Sequence, residues 1–137
     1  MPKIPLEDLK KDMQIKAFLL DKSLTFKTTW GLFCPEEIDV GTKLLLKGIF
    51  DDEKVLKSLR GNSTDKSAPA NVLDIGCGYG PIGIALAKAF PTATVDLIDK
   101  DFVAVDYSKK NALENGTENV NAYLSNGFSH VPTDRKY

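Results

Sequence analysis

Three features of this 137-residue sequence predict an α/β fold: a parallel three-strand core with flanking helices, preceded by a β-hairpin and a helix. The first is Asn71-Val72-Leu73-Asp74-Ile75-Gly76-Cys77-Gly78-Tyr79-Gly80, an apolar strand that ends in an acid and breaks into alternating glycines. A strand feeding a glycine loop, with a helix behind it, is how open α/β sheets hold nucleotide-like cofactors. The second is the order strand, helix, strand, helix, strand from residue 71 onward, which builds parallel sheets with right-handed crossovers. The third is a pair of short alternating runs ahead of this unit, the signature of a hairpin.

The runs Ile15 to Leu20 and Leu24 to Thr29 read as the hairpin strands, with Asp21-Lys22-Ser23 as their turn. Gly41-Thr42 marks a helix start with Thr42 as N-cap, and Leu44, Leu45, Leu46, Ile49 and Phe50 supply an apolar face. A second short helix covers Asp52 to Leu59. Gly61 to Pro69 is a polar connector and the best candidate for disorder. Beyond it, Val72 to Ile75 reads as a buried strand. Pro81 to Phe90 is a helix with proline near its first position and apolar residues nearly all round, so other elements should cover it. Ala93 to Ile98 is a second buried strand, Phe102 to Asn115 a helix ended by Gly116, and Val120 to Leu124 a third strand. The expected organisation is an N-terminal hairpin and helical segment (1–60), a linker (61–70) and a cofactor-binding half (71–137), compact as a whole. The ending Thr133-Asp134-Arg135-Lys136-Tyr137 suggests a truncated chain, since an aromatic there would lead into a further buried strand.

Composition narrows the function classes. The chain is 42% hydrophobic and 27% charged with a net charge of −1, an ordinary globular balance without a global field for nucleic acid or membrane. Cys34 and Cys77 have neither metal-ligand spacing nor a disulfide framework, and this usage suits a reducing cytoplasm. No apolar run approaches membrane-spanning length. Lys10, Lys11, Lys16, Lys22 and Lys27 could touch phosphates, but Glu7, Asp8, Asp12 and Asp21 favour a solvated mixed-charge surface. Trp30 could stack on a base, but core packing beside the hairpin is the expected role. His130 and Cys77 are poor candidates for a general base and a nucleophile.

The glycine loop permits two readings. Gly78-x-Gly80-x-x-Gly83 matches a dinucleotide fingerprint, a weak signal by itself. Charge placement separates the alternatives. In a dinucleotide site the loop and helix N-terminus approach a pyrophosphate, and a carboxylate from Asp74 would oppose it. S-adenosylmethionine has no phosphate. It carries an ammonium and a cationic sulfur, which Asp74 would attract. Asp99, at the end of the second strand, is placed to accept from ribose hydroxyls, with Asp96 as competitor and helix capping as the alternative role, which Asp101 could fill instead. Ser125-Asn126 follows the third strand, where Asn126 can match the donor and acceptor edge of an adenine or simply form an Asn-Gly turn.

These blocks resemble the small-domain class I methyltransferases related to ribosomal RNA small subunit methyltransferase C. The resemblance runs from about Leu24 to Tyr137. It is carried by Leu24-Thr25-Phe26-Lys27-Thr28, Gly31-Leu32-Phe33, Asp39-Val40-Gly41-Thr42-Lys43-Leu44-Leu45 and the glycine block through Gly83. It continues in Asp99-x-Asp101-x-x-Ala104-Val105 with Asn111, and in Ser125-Asn126-Gly127-Phe128-Ser129. The glycine block is common to many methyltransferases; the two blocks ahead of it are more selective. The resemblance implies the N-terminal half of a Rossmann-like methyltransferase fold. It also implies methyl transfer from S-adenosylmethionine to the exocyclic N2 amine of a guanine in small-subunit ribosomal RNA.

The cofactor-binding set is then Asp74, Gly76, Cys77, Gly78, Gly80, Asp99, Lys100, Ser125 and Asn126, with Phe33 and Thr42 near the methionine end unless Phe33 is core and Thr42 only a cap. No metal is expected. Family members hold the target amine with an Asn-Pro-Pro-aromatic segment that these 137 residues do not contain. No catalytic residue can therefore be named, and the chain alone is expected to be inactive. The rivals are a non-catalytic nucleoside-binding module and a methyltransferase for a protein or small molecule.

Overall fold

In a computed structural model the described residues are 3, 5–7, 11–61 and 69–137; the connector residues 62–68, and Asp8 and Lys10 of the mixed-charge surface, lie outside them. The elements run β1 (Met13–Leu19), β2 (Lys22–Thr28), α1 (Val40–Phe50), α2 (Glu53–Arg60), β3 (Asn71–Ile75), α3 (Pro81–Ala89), β4 (Thr94–Asp99), α4 (Phe102–Glu114) and β5 (Val120–Leu124). β1 and β2 pair antiparallel, while β3, β4 and β5 form a parallel sheet in that spatial order. This is the expected α/β architecture.

Position in the sheet decides how each strand is buried. β4 is central, and Val95, Asp96, Leu97 and Ile98 are all buried. β3 is not the buried strand its apolar sequence predicts: Asn71 to Asp74 are half-buried and Ile75 is exposed, and among the described residues β3 pairs with β4 alone. The helix α3 is covered as expected, with Gly83, Ile84, Ala85, Leu86 and Ala87 buried.

The hairpin turn lies one step earlier than expected. Leu19 pairs with Lys22, so Leu20 and Asp21 alone turn the chain, at φ 51° and 60°. Two consecutive left-handed residues match the right-handed twist of the strands they join. Thr42 is not the N-cap of α1. Asp39 is, and its carboxylate accepts from the Thr42 amide (3.2 Å) and from the Thr42 hydroxyl. Aspartate is at least as good a cap as threonine, and a helix started there leaves Thr42 to donate both its amide and its hydroxyl to the cap. The expected apolar face of α1 is also largely uncovered: Leu46 is buried and Ile49 half-buried, but Leu44, Leu45 and Phe50 are exposed.

The hairpin is fastened to the parallel unit by side-chain amides. Asn111 accepts from the Lys27 amide (2.7 Å) and donates to the Lys27 carbonyl (2.9 Å). One turn later Asn115 does the same for Thr25, at 3.0 and 2.8 Å. Two asparagines four apart, Asn111 in α4 and Asn115 at its C-cap, thus imitate a neighbouring strand and satisfy backbone groups of β2. Phe26 of β2 is fully buried and meets the Tyr79 ring edge at a tilt, with centroids 5.8 Å apart.

Candidate functional site

The chain leaves β3 through a turn pinned to β4, since the amides of Gly76 and Cys77 both donate to the Ile98 carbonyl (2.8 and 3.0 Å). The Gly78 amide donates to Asp99 Oδ2 (3.0 Å), and the Ser108 hydroxyl holds the Gly78 carbonyl (2.8 Å). Gly76, Gly78 and Gly80 all take left-handed φ. The stricter requirement is at Gly83, where an added Cβ would lie 1.9 Å from Leu97 Cδ2. That absence of a side chain lets α3 lie directly on the sheet and brings the Gly83 amide to Asp74 Oδ2 (3.1 Å).

Asp74 is the most unusual group at this end of the sheet. Burial pushes its carboxyl up to about 6; the Gly83 amide opposes the shift and the Asp99 charge adds to it. A half-buried carboxylate with so little neutralisation is suited to a cation. It faces a cleft of about 320 Å³ whose opposite wall comes from the N-terminal part of the chain: Phe33, Asp39, Gly41, Thr42 and Leu45. Phe33 is 75% exposed, so the core alternative for it is excluded. Asp39, held below the ordinary carboxylate range chiefly by the Thr42 hydroxyl, adds a second carboxylate to the cleft.

Asp99 and Asp96 are separated clearly. Asp99 sits half-buried at the exit of β4, with one oxygen toward Gly78 and the other accepting from the Asp101 amide (3.0 Å). The cap of α4 is Asp101, which accepts from Val103 (2.9 Å), so Asp99 is not the cap. Asp96 is fully buried in mid-strand and accepts from Asn121, Tyr123, Arg135 and Tyr137. Its carboxylate is fully engaged in holding the sheet and the last residues together.

The remaining expected positions differ in what they can offer. Lys100 is exposed in the turn between β4 and α4. Cys77 is buried against Ser108 (3.4 Å), and burial pushes its thiol up to about 12, so it is no nucleophile. Ser125 closes its own loop: its hydroxyl donates to the Gly127 carbonyl (2.6 Å) and accepts from the His130 amide (3.1 Å). Asn126, next to it, is exposed. The Ser125 amide donates to the Asp99 carbonyl (2.9 Å), which keeps this loop beside the Asp99 turn. Asp39 and Tyr79 line the cleft yet are absent from the expected set; the Asp39-x-x-Thr42 capping pattern was the available signal for the first. Among the described residues no cluster of His, Cys, Asp and Glu could hold a metal, and no helix is long and apolar enough to cross a membrane.

Known proteins resemble this chain in sequence and fold. Residues 23–137 match the family described as methyltransferase small domain. An uncharacterized protein, YbxB of Bacillus subtilis, is 35% identical over 130 residues, 94% of this chain and 58% of its own length. Ribosomal RNA small subunit methyltransferase C of Hahella chejuensis is 34% identical over 109 residues, which cover 80% of this chain but 27% of that protein. The chain thus spans little more than half, or about a quarter, of the relatives it matches. Among solved structures, a T. thermophilus 16S rRNA N2 G1207 methyltransferase superposes with a TM-score of 0.70 at 24% identity, over 89% of this chain and 30% of its own. TYW2 of M. jannaschii follows at 0.57 and 21%, over 84% and 44%.

Proposed function

The chain belongs to the methyltransferase small-domain family, and from that premise we propose that its glycine-loop cleft binds S-adenosylmethionine for methylation of the N2 amine of a guanine in small-subunit ribosomal RNA. The observation that carries the donor assignment is Asp74. Its carboxylate is pushed up to about 6 by burial, receives one backbone amide, and faces the cleft. A pyrophosphate would worsen this imbalance, and an ammonium or sulfonium would relieve it. In the reading proposed here Asp74 faces the methionine end, with Phe33 and Thr42 across the cleft. Gly76, Cys77, Gly78 and Gly80 offer backbone to the donor, Asp99 takes the ribose hydroxyls, and Lys100, Ser125 and Asn126 border the base. Ser125 contributes through loop shape, because its hydroxyl is already engaged.

The donor, when bound, supplies an activated methyl group; the protein's share is orientation. The guanine assignment rests on the relatives named ribosomal RNA small subunit methyltransferase C and on the motifs shared with them. Phe33 to Leu45 of the N-terminal segment then serve as one wall of the donor cleft and Asp74 to Ile82 as the other.

Titration calorimetry with S-adenosylhomocysteine and with NAD tests the donor site, and the homocysteine compound is expected to bind more tightly. Tighter binding of NAD overturns the assignment. For the acceptor, small-subunit RNA from cells lacking the gene is expected to lose one N2-methylguanine in nucleoside mass spectrometry. An unchanged methylguanine content rejects guanine as the target.

A further inference from the structure

The N-terminal wall of the cleft is a loop whose shape needs outside support. Cys34 has a left-handed backbone (φ 45°), a conformation that residues with a side chain rarely adopt unless their surroundings hold them there. The supports are visible. The Tyr79 hydroxyl shares its proton between the carbonyls of Cys34 and Glu37, 3.3 Å from each. The Thr28 hydroxyl donates to the carbonyl of Pro35, between them. Burial pushes the Tyr79 phenol up to about 12, so it remains a donor throughout the physiological range. Tyr79 is itself held from below: its ring packs on Phe26, and its carbonyl accepts from Asn111 (2.8 Å). The buried side chain in the middle of the glycine loop therefore reaches the N-terminal loop and grips the opposite wall of the cleft.

We propose that Tyr79 is a positioning residue: its hydroxyl sets the loop of residues 33–38 over the glycine loop and so shapes the part of the cleft that receives the amino-acid end of the donor. The inference rests on the donor site proposed above. The wall residues Phe33, Asp39 and Thr42 share their cleft with Asp74, whereas Asp99, Ser125 and Asn126 lie outside it. Moving the wall therefore affects the amino-acid end and spares the nucleoside end. This selectivity separates positioning from a general loss of structure.

The test compares S-adenosylhomocysteine with 5′-methylthioadenosine, which keeps the nucleoside and lacks the amino-acid end, by calorimetry on the intact protein. Tyr79→Phe is expected to weaken the first about five- to tenfold, the worth of one neutral hydrogen bond with some relaxation around it. It should leave the second within twofold of wild type. Thr28→Val removes the other support without touching the glycine loop and should give the same selective loss. Equal weakening of both ligands, or no change in either, overturns the proposal. So does unfolding of both variants in circular dichroism, since the hydroxyls would then hold the core rather than the wall. If the wild-type protein binds neither ligand, the donor-site reading itself falls.

Discussion

Asp74 and Asp96 stand on neighbouring strands of one sheet, one register step apart, and have opposite surroundings. Asp96, on the central strand, is fully buried and receives hydrogen bonds from Asn121, Tyr123, Arg135 and Tyr137. Burial acts to raise its pKa, but the bonds from Tyr137, Asn121 and Arg135 outweigh it and hold the group below the ordinary value. Asp74, on β3, receives only the Gly83 amide among the described residues, and burial prevails. The fold surrounds one carboxylate with donors and leaves the other with a single backbone amide beside the cleft. Where a charge is fully partnered it fastens structure; where it is left short beside a cleft it is available for a ligand.

The largest expected effect breaks the satisfied end. Asp96→Ala removes four accepted bonds and the partner of Arg135, and should cost about 2–3 kcal/mol in urea unfolding at pH 7. Because its folded pKa lies below the unfolded value of 3.8, the stabilisation is present above that value and is lost as pH falls through the folded one. A stability unchanged in this variant would remove the contrast.

Asp74→Asn tests the other end and should separate stability from binding. The folded pKa of about 6 lies above the unfolded 3.8, so ionised Asp74 opposes folding above pH 6, and this opposition fades as pH falls from 6 toward 4. The asparagine can still accept from Gly83. The variant should therefore be at least as stable as wild type at pH 7 in the same unfolding experiment. Its affinity for S-adenosylhomocysteine should fall by about 2 kcal/mol, the scale of a charge-assisted bond. An affinity equal to wild type would place the cation elsewhere.

A smaller effect follows from titration. Lowering pH from 7 to 5 protonates most of Asp74 and should weaken S-adenosylhomocysteine binding by up to about tenfold. Calorimetry at several pH values on Asp74→Asn should give a flat profile over the same range. A wild-type profile that is already flat would mean that Asp74 does not meet the ligand as an anion.

Much of the fold was legible because it is written in short-range patterns. Val120–Leu124 has the expected bounds, α3 begins at Pro81 as its N-terminal proline predicts, and Gly116 ends α4. The glycine loop and the position of Asp99 at a strand exit follow from the same local rules. The errors arose where neighbours distant in sequence decide. The apolar residues of Val72–Ile75 and Leu44–Leu45 look buried by composition, yet burial depends on whether another element lies across them, and here none of the described residues does so fully. Thr42 and Asp39 are both good caps by type; the helix takes the earlier one, and that choice brings Asp39 to the cleft.

The sequence alone determined the α/β order, the turn after β3, and the presence of an acid at the end of that strand, because each depends on residues a few positions apart. Only the tertiary structure decided which acid is available. Asp96 is satisfied by donors 25 to 41 residues away, and Asp74 faces a wall contributed by residues before the connector. Charge balance is a sum over everything packed around a group, and packing brings together what the chain keeps apart.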